Sequence, residues 1–128
     1  MKIEKFNEKI ASKDDKELSE FIELVINNFY PDDDLGNMGS YEAKLGISGI
    51  KKFIRSSFYF MAIDEDELKI MQSVSDYFKK FDSSAKIVIR SFSEDKDMVE
   101  CLIDVNLLAY SKIFKDLEFK KNTKKYNI

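Results

Sequence analysis

A chain of 128 residues with 44% apolar and 13% aromatic side chains can bury a real core as one domain, which excludes disorder. With 21 bases against 24 acids the net charge is −3, which excludes a strongly basic nucleic-acid binder. No histidine and one cysteine exclude histidine triads, histidine metal ligands, zinc–cysteine clusters, CxxC redox chemistry and an internal disulfide.

The charge is unevenly placed. Residues 1–40 hold five lysines against ten acids, while the last ten residues, FKKNTKKYNI, hold four lysines and no acid. An acidic N-terminal part and a basic tail are therefore expected, and an acidic surface steers basic partners and speeds association.

In chain order, Ile3, Phe6 and Ile10 recur at i, i+3, i+7, which predicts a short first helix. The opening MKIEKFNEKI lacks the apolar core of a signal peptide, and no apolar run approaches a membrane span, so the expected location is the cytoplasm. Ser12 and Asp14 offer N-caps to a second helix, KELSEFIELVINNFY, whose Leu18, Phe21, Ile22, Val25 and Phe29 share one face. Pro31 ends it, because the residue before a proline is pushed out of the α region.

Ser40 or Ser48 starts the next expected helical part, with Ile50, Phe53, Ile54, Phe58 and Met61 at the 3.6 period and a break near Gly46 and Gly49. Asp64 followed by Glu67 has the capping-box spacing. Behind it Leu68, Met71, Val74, Phe78 and Phe81 form the cleanest helical stripe in the chain. SAKIVIRSF reads as a strand, short and β-branched.

The run MVECLIDVNLLAYSKIFKDLEF reads two ways. Val99, Cys101, Ile103, Val105 and Leu107 alternate as in a strand, yet Glu100, Asp104, Ser111, Lys115 and Glu118 fall in one polar stripe on a helical wheel. Its length of about 22 residues and its leucine-rich end favour a helix. Cys101, inside this apolar run, is expected to pack as a small hydrophobe. The resulting expectation is a mainly α single-domain bundle over 1–128, with five to six helices. The alternative is α+β, with a β-hairpin at 85–107 packed on helices.

The most chemical-looking stretch is NNFYPDDDLGNMGSYE. Placing Glu42 at position 12 of an EF-hand loop puts Gly36 at position 6 and Asp33 at position 3, as that loop requires. Position 1 is then Pro31 and position 5 is Leu35, and neither side chain supplies an oxygen, so no calcium site is expected. Three adjacent aspartates in a glycine-rich turn are expected to be solvated and ionised rather than tuned for acid–base catalysis. Aromatic anchors beside negative charge suit recognition of a basic protein surface. No glycine-rich phosphate loop occurs, and no cofactor, metal or catalytic role is expected.

Two alternative readings stand beside this one: a phage or host adaptor or inhibitor protein, which would show the same composition, and a small nucleic-acid-binding protein. The latter rests on Lys51, Lys52 and Arg55 of GIKKFIR, expected on one helix beside aromatics, and on the 120–125 lysines.

The segment SKDDKELSEFIELV, an acidic helix start leading into Glu20-Phe21-Ile22-Glu23-Leu24-Val25, resembles the colicin nuclease immunity family. In its size and acidity the chain is similar to small bacterial toxin-immunity proteins of bacteriocin and contact-dependent inhibition systems. The likeness covers 14 of the 128 residues, and NNFYP carries one tyrosine, Tyr30, where that family has a pair. The resemblance implies a cytoplasmic protein that covers the active site of a basic nuclease toxin, its acids standing in for nucleic-acid phosphates. The expected partner-binding residues are Glu17, Glu20, Glu23, Tyr30, Asp32, Asp33, Asp34 and Tyr41. The expected partner is a basic protein, the cognate toxin; nucleic acid, small molecules and membrane are not.

Overall fold

The computed structural model describes the backbone of residues 2–30, 34–91 and 98–126, and the side chains of 15–30, 34–91 and 98–123. In chain order its elements are α1 (Lys2–Phe29), β1 (Met38–Ser48), β2 (Lys51–Phe60), α2 (Glu65–Lys79), β3 (Ile87–Ser91), β4 (Val99–Asn106) and α3 (Leu107–Tyr126). The four strands form one antiparallel sheet in the order β1-β2-β4-β3. The fold is thus α+β, and the expected mainly α bundle of five to six helices is overturned. A hairpin does form between 85 and 107, from β3 and β4, but a second one, β1–β2, replaces helices expected between 40 and 61.

The physical reason is visible in β2. Its sequence KKFIRSSFYF is rich in aromatics, and Ile54, Ser56, Phe58 and Phe60 alternate toward the core. Ser56, fully buried, hides that alternation, and Ile54–Phe58 at i, i+4 imitates a helix. Gly49, at φ 64°, turns the chain in two residues and closes β1 on β2, a conformation that glycine adopts without strain.

The helical expectations hold where one amphipathic stripe is long. Leu18, Phe21, Ile22 and Val25 of α1 are buried, and the helix ends at Phe29, just before Pro31 in the sequence. The two N-terminal helices expected are one continuous helix. In α2, Asp64 accepts from the Glu67 amide at 2.8 Å, and the Glu67 carboxylate accepts from the Asp64 amide, completing the capping box. Met71, Val74 and Phe78 are fully buried, whereas Leu68 is exposed.

The long 98–119 run is strand and helix in succession. Asn106 ends β4 and its side-chain oxygen accepts from the Ala109 amide at 2.7 Å, so it N-caps α3. Asp82 pins that asparagine, accepting from its backbone and side-chain nitrogens at 2.9 and 3.1 Å.

Residues of all three helices join Ile54, Phe58, Phe60, Cys101, Ile103 and Val105 in one core cluster. Alternation along the strands therefore places the helices on a single face of the sheet. Phe21 is its hub, with ring centroids 4.7 Å from Tyr110 and 6.1 Å from Phe78. Full burial of such a ring contributes about 2–3 kcal/mol. Cys101 is fully buried here, and burial, with the Glu100 charge beside it, raises its thiol to about 11.

The opposite face, which no described helix covers, carries ion pairs. Arg55 meets Asp104, and Arg90 meets Glu100 at 2.8 Å. Tyr59 donates to Glu42 at 3.0 Å. No helix among the described residues is long and apolar enough to cross a membrane.

Candidate functional site

From Asp15 onward α1 buries Leu18, Phe21, Ile22, Val25 and Ile26 and turns Asp15, Ser19, Glu20, Glu23 and Asn27 to solvent. The buried face fixes the helix, so the exposed carboxylates stand on a rigid element. This exposed face is a ridge with a groove on each side.

On the β1 side, Asp15, Ser19 and Glu23 face Tyr41, Glu42 and Lys44. On the α3 side, Glu17 and Glu20 face Tyr110, Phe114, Lys115 and Glu118. Farther along, Glu23 and Asn27 face Glu118 and Lys121. Six carboxylates (Asp15, Glu17, Glu20, Glu23, Glu42 and Glu118) therefore line these grooves against three lysines (Lys44, Lys115 and Lys121).

The carboxylates differ in freedom. Glu17 accepts from the Tyr110 hydroxyl at 2.9 Å and is half-buried. Glu42 accepts from Tyr59 and pairs with Lys44 at 3.2 Å. Glu20 and Glu23 are exposed and make no ion pair or side-chain hydrogen bond among the described residues. Two unpaired acids on a rigid helix, beside an aromatic-floored groove, offer a positive surface attraction without the cost of first breaking a bond.

Of the eight residues expected at the site, the structure brings together Glu17, Glu20, Glu23 and Tyr41 around α1. Tyr30 does not belong: it is buried in the core, 5% exposed, and its hydroxyl finds no hydrogen-bond partner among the described residues. Burial, followed by the charges of Glu67, Cys101 and Asp64, pushes its pKa far up. Asp34 is exposed, but its carboxylate accepts from the Gly36 amide at 3.0 Å, the local turn bond that aspartate makes two residues on. Asp32 and Asp33 lie outside the described residues. The helix expected after the aspartate loop is strand β1, and Glu42, the twelfth residue of the calcium frame, is held by Tyr59 and Lys44. Among the described residues no group of three acids or cysteines is placed to hold a metal ion.

The basic segment is also corrected. Lys51, Lys52 and Arg55 lie on β2, not on a helix, so alternation sends Lys52 to the face opposite Lys51 and Arg55. The Arg55 guanidinium is taken by Asp104, 5.5 Å from the Phe53 ring centroid. Sequence reasoning missed Asp15, Glu42 and Glu118 as members of the acidic face. Glu118 carried a signal, its place in the polar stripe, but only the packing of α3 beside α1 sets it across from Glu20.

No family model matches the chain, and neither a curated protein nor a solved structure is similar to it.

Proposed function

We propose that the protein is a non-catalytic, cytoplasmic inhibitor that binds a basic protein partner through the acidic ridge of α1, in the manner of a toxin-immunity protein acting on a nuclease. The observation that supports this reading is the pair Glu20 and Glu23, exposed and unpaired among the described residues on a helix whose other face is locked into the core. A nuclease presents lysines and arginines to phosphates, and carboxylates at helical spacing meet the same charges. Phe114 and Tyr110, at the floor of the α3-side groove, supply the apolar contact that turns steering into affinity.

The test is a paired affinity capture from the native host, with the wild-type chain and a Glu20→Lys/Glu23→Lys chain as baits. The reading expects one basic protein held by the first and lost by the second, with an enzymatic activity that the wild-type chain suppresses on addition. Equal capture by both baits, or a captured protein whose activity is untouched, overturns it.

A further inference from the structure

We propose that β1 is a self-association edge: two copies pair their β1 strands antiparallel about a two-fold axis through Ala43, joining both sheets into one. This goes beyond the inhibitor reading and does not depend on it. β1 runs for 11 residues and, among the described residues, ends the sheet and pairs only with β2. The other edge, β3, has five. A long edge strand carries unpaired amides and carbonyls and is a template for another strand unless something blocks it. Between Ser40 and Gly46 the strand holds no proline, and its irregularity lies at one end, between Met38 and Ser40; the described side chains beside it are Asp15, Ser19 and Glu23 of α1, across the groove on its core side. Among the described residues the outer edge makes no backbone bond to any other element.

The occupant is read from the strand itself. Tyr41, Ala43, Leu45 and Ile47 share the core face of β1, and Ser40, Glu42, Lys44 and Gly46 share the other. A two-fold axis normal to the sheet keeps each face on its own side, so the axis must pass through a residue position. Centred on Ala43, it sets Glu42 opposite the second copy's Lys44, and Lys44 opposite the second copy's Glu42. One position toward the N-terminus the axis sets Glu42 on Glu42; one position toward the C-terminus it sets Lys44 on Lys44. Directly opposed like charges are destabilising and unlike charges stabilising, so of these three registers the strand's own charges select the one centred on Ala43.

That same register gives the longest overlap, because Ala43 is the midpoint of Met38–Ser48. It also sets Leu45, 39% exposed in the single chain, against the half-buried Tyr41 of the second copy. Lysine on an edge strand ordinarily discourages pairing. Here Lys44, whose only ion pair among the described residues is with Glu42 on its own strand, sets the register instead.

Sedimentation equilibrium of the full chain over a concentration series tests this. The wild type is expected to associate to twice its 15.0 kDa mass. Lys44→Glu places like charges opposite each other twice, by symmetry, and is expected to weaken association by about tenfold. Glu42→Lys does the same, and the double swap Glu42→Lys/Lys44→Glu restores it. Hydrogen exchange on the wild type needs no variant: β1 amides are expected to slow as chain concentration rises, while β3 amides do not. A chain that stays monomeric at millimolar concentration, a dimer indifferent to Lys44→Glu, a double swap as weak as the singles, or a dimer without added β1 protection overturns the proposal.

Discussion

Tyr110 donates its hydroxyl to Glu17 at 2.9 Å, joining α3 to α1 across 93 positions of sequence. The bond sets Glu17, a structural acid, apart from Glu20 and Glu23, which have no partner among the described residues. Tyr110→Phe is expected to lower stability by about 1 kcal/mol, since Glu17 is half-buried and recovers part of its hydration. Glu20→Gln is expected to stay within about 0.5 kcal/mol, as for surface substitutions in general. Urea unfolding of the two variants checks the contrast, and equal costs would mean that Glu20 has a partner the geometry does not give it.

A tighter arrangement holds the loop before β1. Glu67 is buried, and its carboxylate accepts from the Asn37 backbone at 2.7 Å and from the Asn37 side chain at 2.9 Å. Gly36 stands beside it at φ 58°, where an added Cβ would lie 2.7 Å from a Glu67 oxygen. Gly36→Ala is therefore expected to cost more than about 1 kcal/mol, through both the left-handed backbone and the displaced carboxylate. Glu67→Ala, which strips a charged acceptor from three donors (the Asn37 backbone and side chain and the Asp64 amide), is expected to cost about 3 kcal/mol. Melting temperatures rank the pair, and a neutral Gly36→Ala would refute the account of the loop.

How much of this was legible in the sequence depended on how local the cause was. α2 is set by a capping box and a stripe that lie within the helix, and both were readable before any tertiary contact existed. β1 and β2 are set by each other. Their apolar spacing, broken by Ser56 and Ser57, favoured a helix until the strands were paired. In the 98–119 run the strand signal and the helix signal were both real, and the switch at Asn106 was carried by a capping residue whose importance shows only once Asp82 grips it. The acidic ridge was half legible: α1 named Glu20 and Glu23, but Glu42 and Glu118 join them from elsewhere in the chain, and Tyr30 left the set because the core needed its ring.

The pH dependence follows from groups on both flanks. Tyr77 donates to Asp116, and that bond, with Lys120 beside it, holds the carboxyl below its ordinary value. Burial alone would raise Asp82, but the bonds it accepts from Ser84 and Asn106 outweigh burial and hold it low. A carboxylate depressed in the folded state binds its proton more weakly there than in the unfolded chain. Its contribution is therefore complete above the unfolded value of about 4 and is lost as pH falls through the folded one. Asp82→Asn is expected to flatten the acid limb of a stability-versus-pH curve, and an unchanged limb would show that other groups set it.

The alkaline flank has the opposite sign. Cys101 rises from 9.0 to about 11, through burial and then the Glu100 charge. Tyr59 rises from 10.0 to about 12, through burial and then its bond to Glu42. The folded chain keeps protons that the unfolded chain releases first, so stability is full below the unfolded values and falls from about pH 9, through about 11 for Cys101 and about 12 for Tyr59. Cys101→Ala removes the first of these groups. The gap between wild type and this variant is expected to narrow as pH climbs from 9, and a constant gap would place the loss elsewhere.

On the open face of the sheet, Arg55 gives Asp104 two parallel bonds, at 2.8 and 3.0 Å, from directly paired positions of β2 and β4. Bidentate geometry argues for a strong pair, and the 38% exposure of both side chains argues for a screened one. Screening wins at this exposure, since water competes for the same oxygens. A double-mutant cycle with Arg55→Ala and Asp104→Ala is expected to give a coupling of about 0.5–1 kcal/mol, shrinking at high salt. The Phe53 ring under the guanidinium adds a part that survives salt, because an aromatic face does not exchange for chloride. Because that contact cancels out of the Arg55–Asp104 cycle, a second cycle with Arg55→Ala and Phe53→Leu measures it: a coupling that survives high salt is expected, and one that disappears with salt would refute a contribution from the ring face.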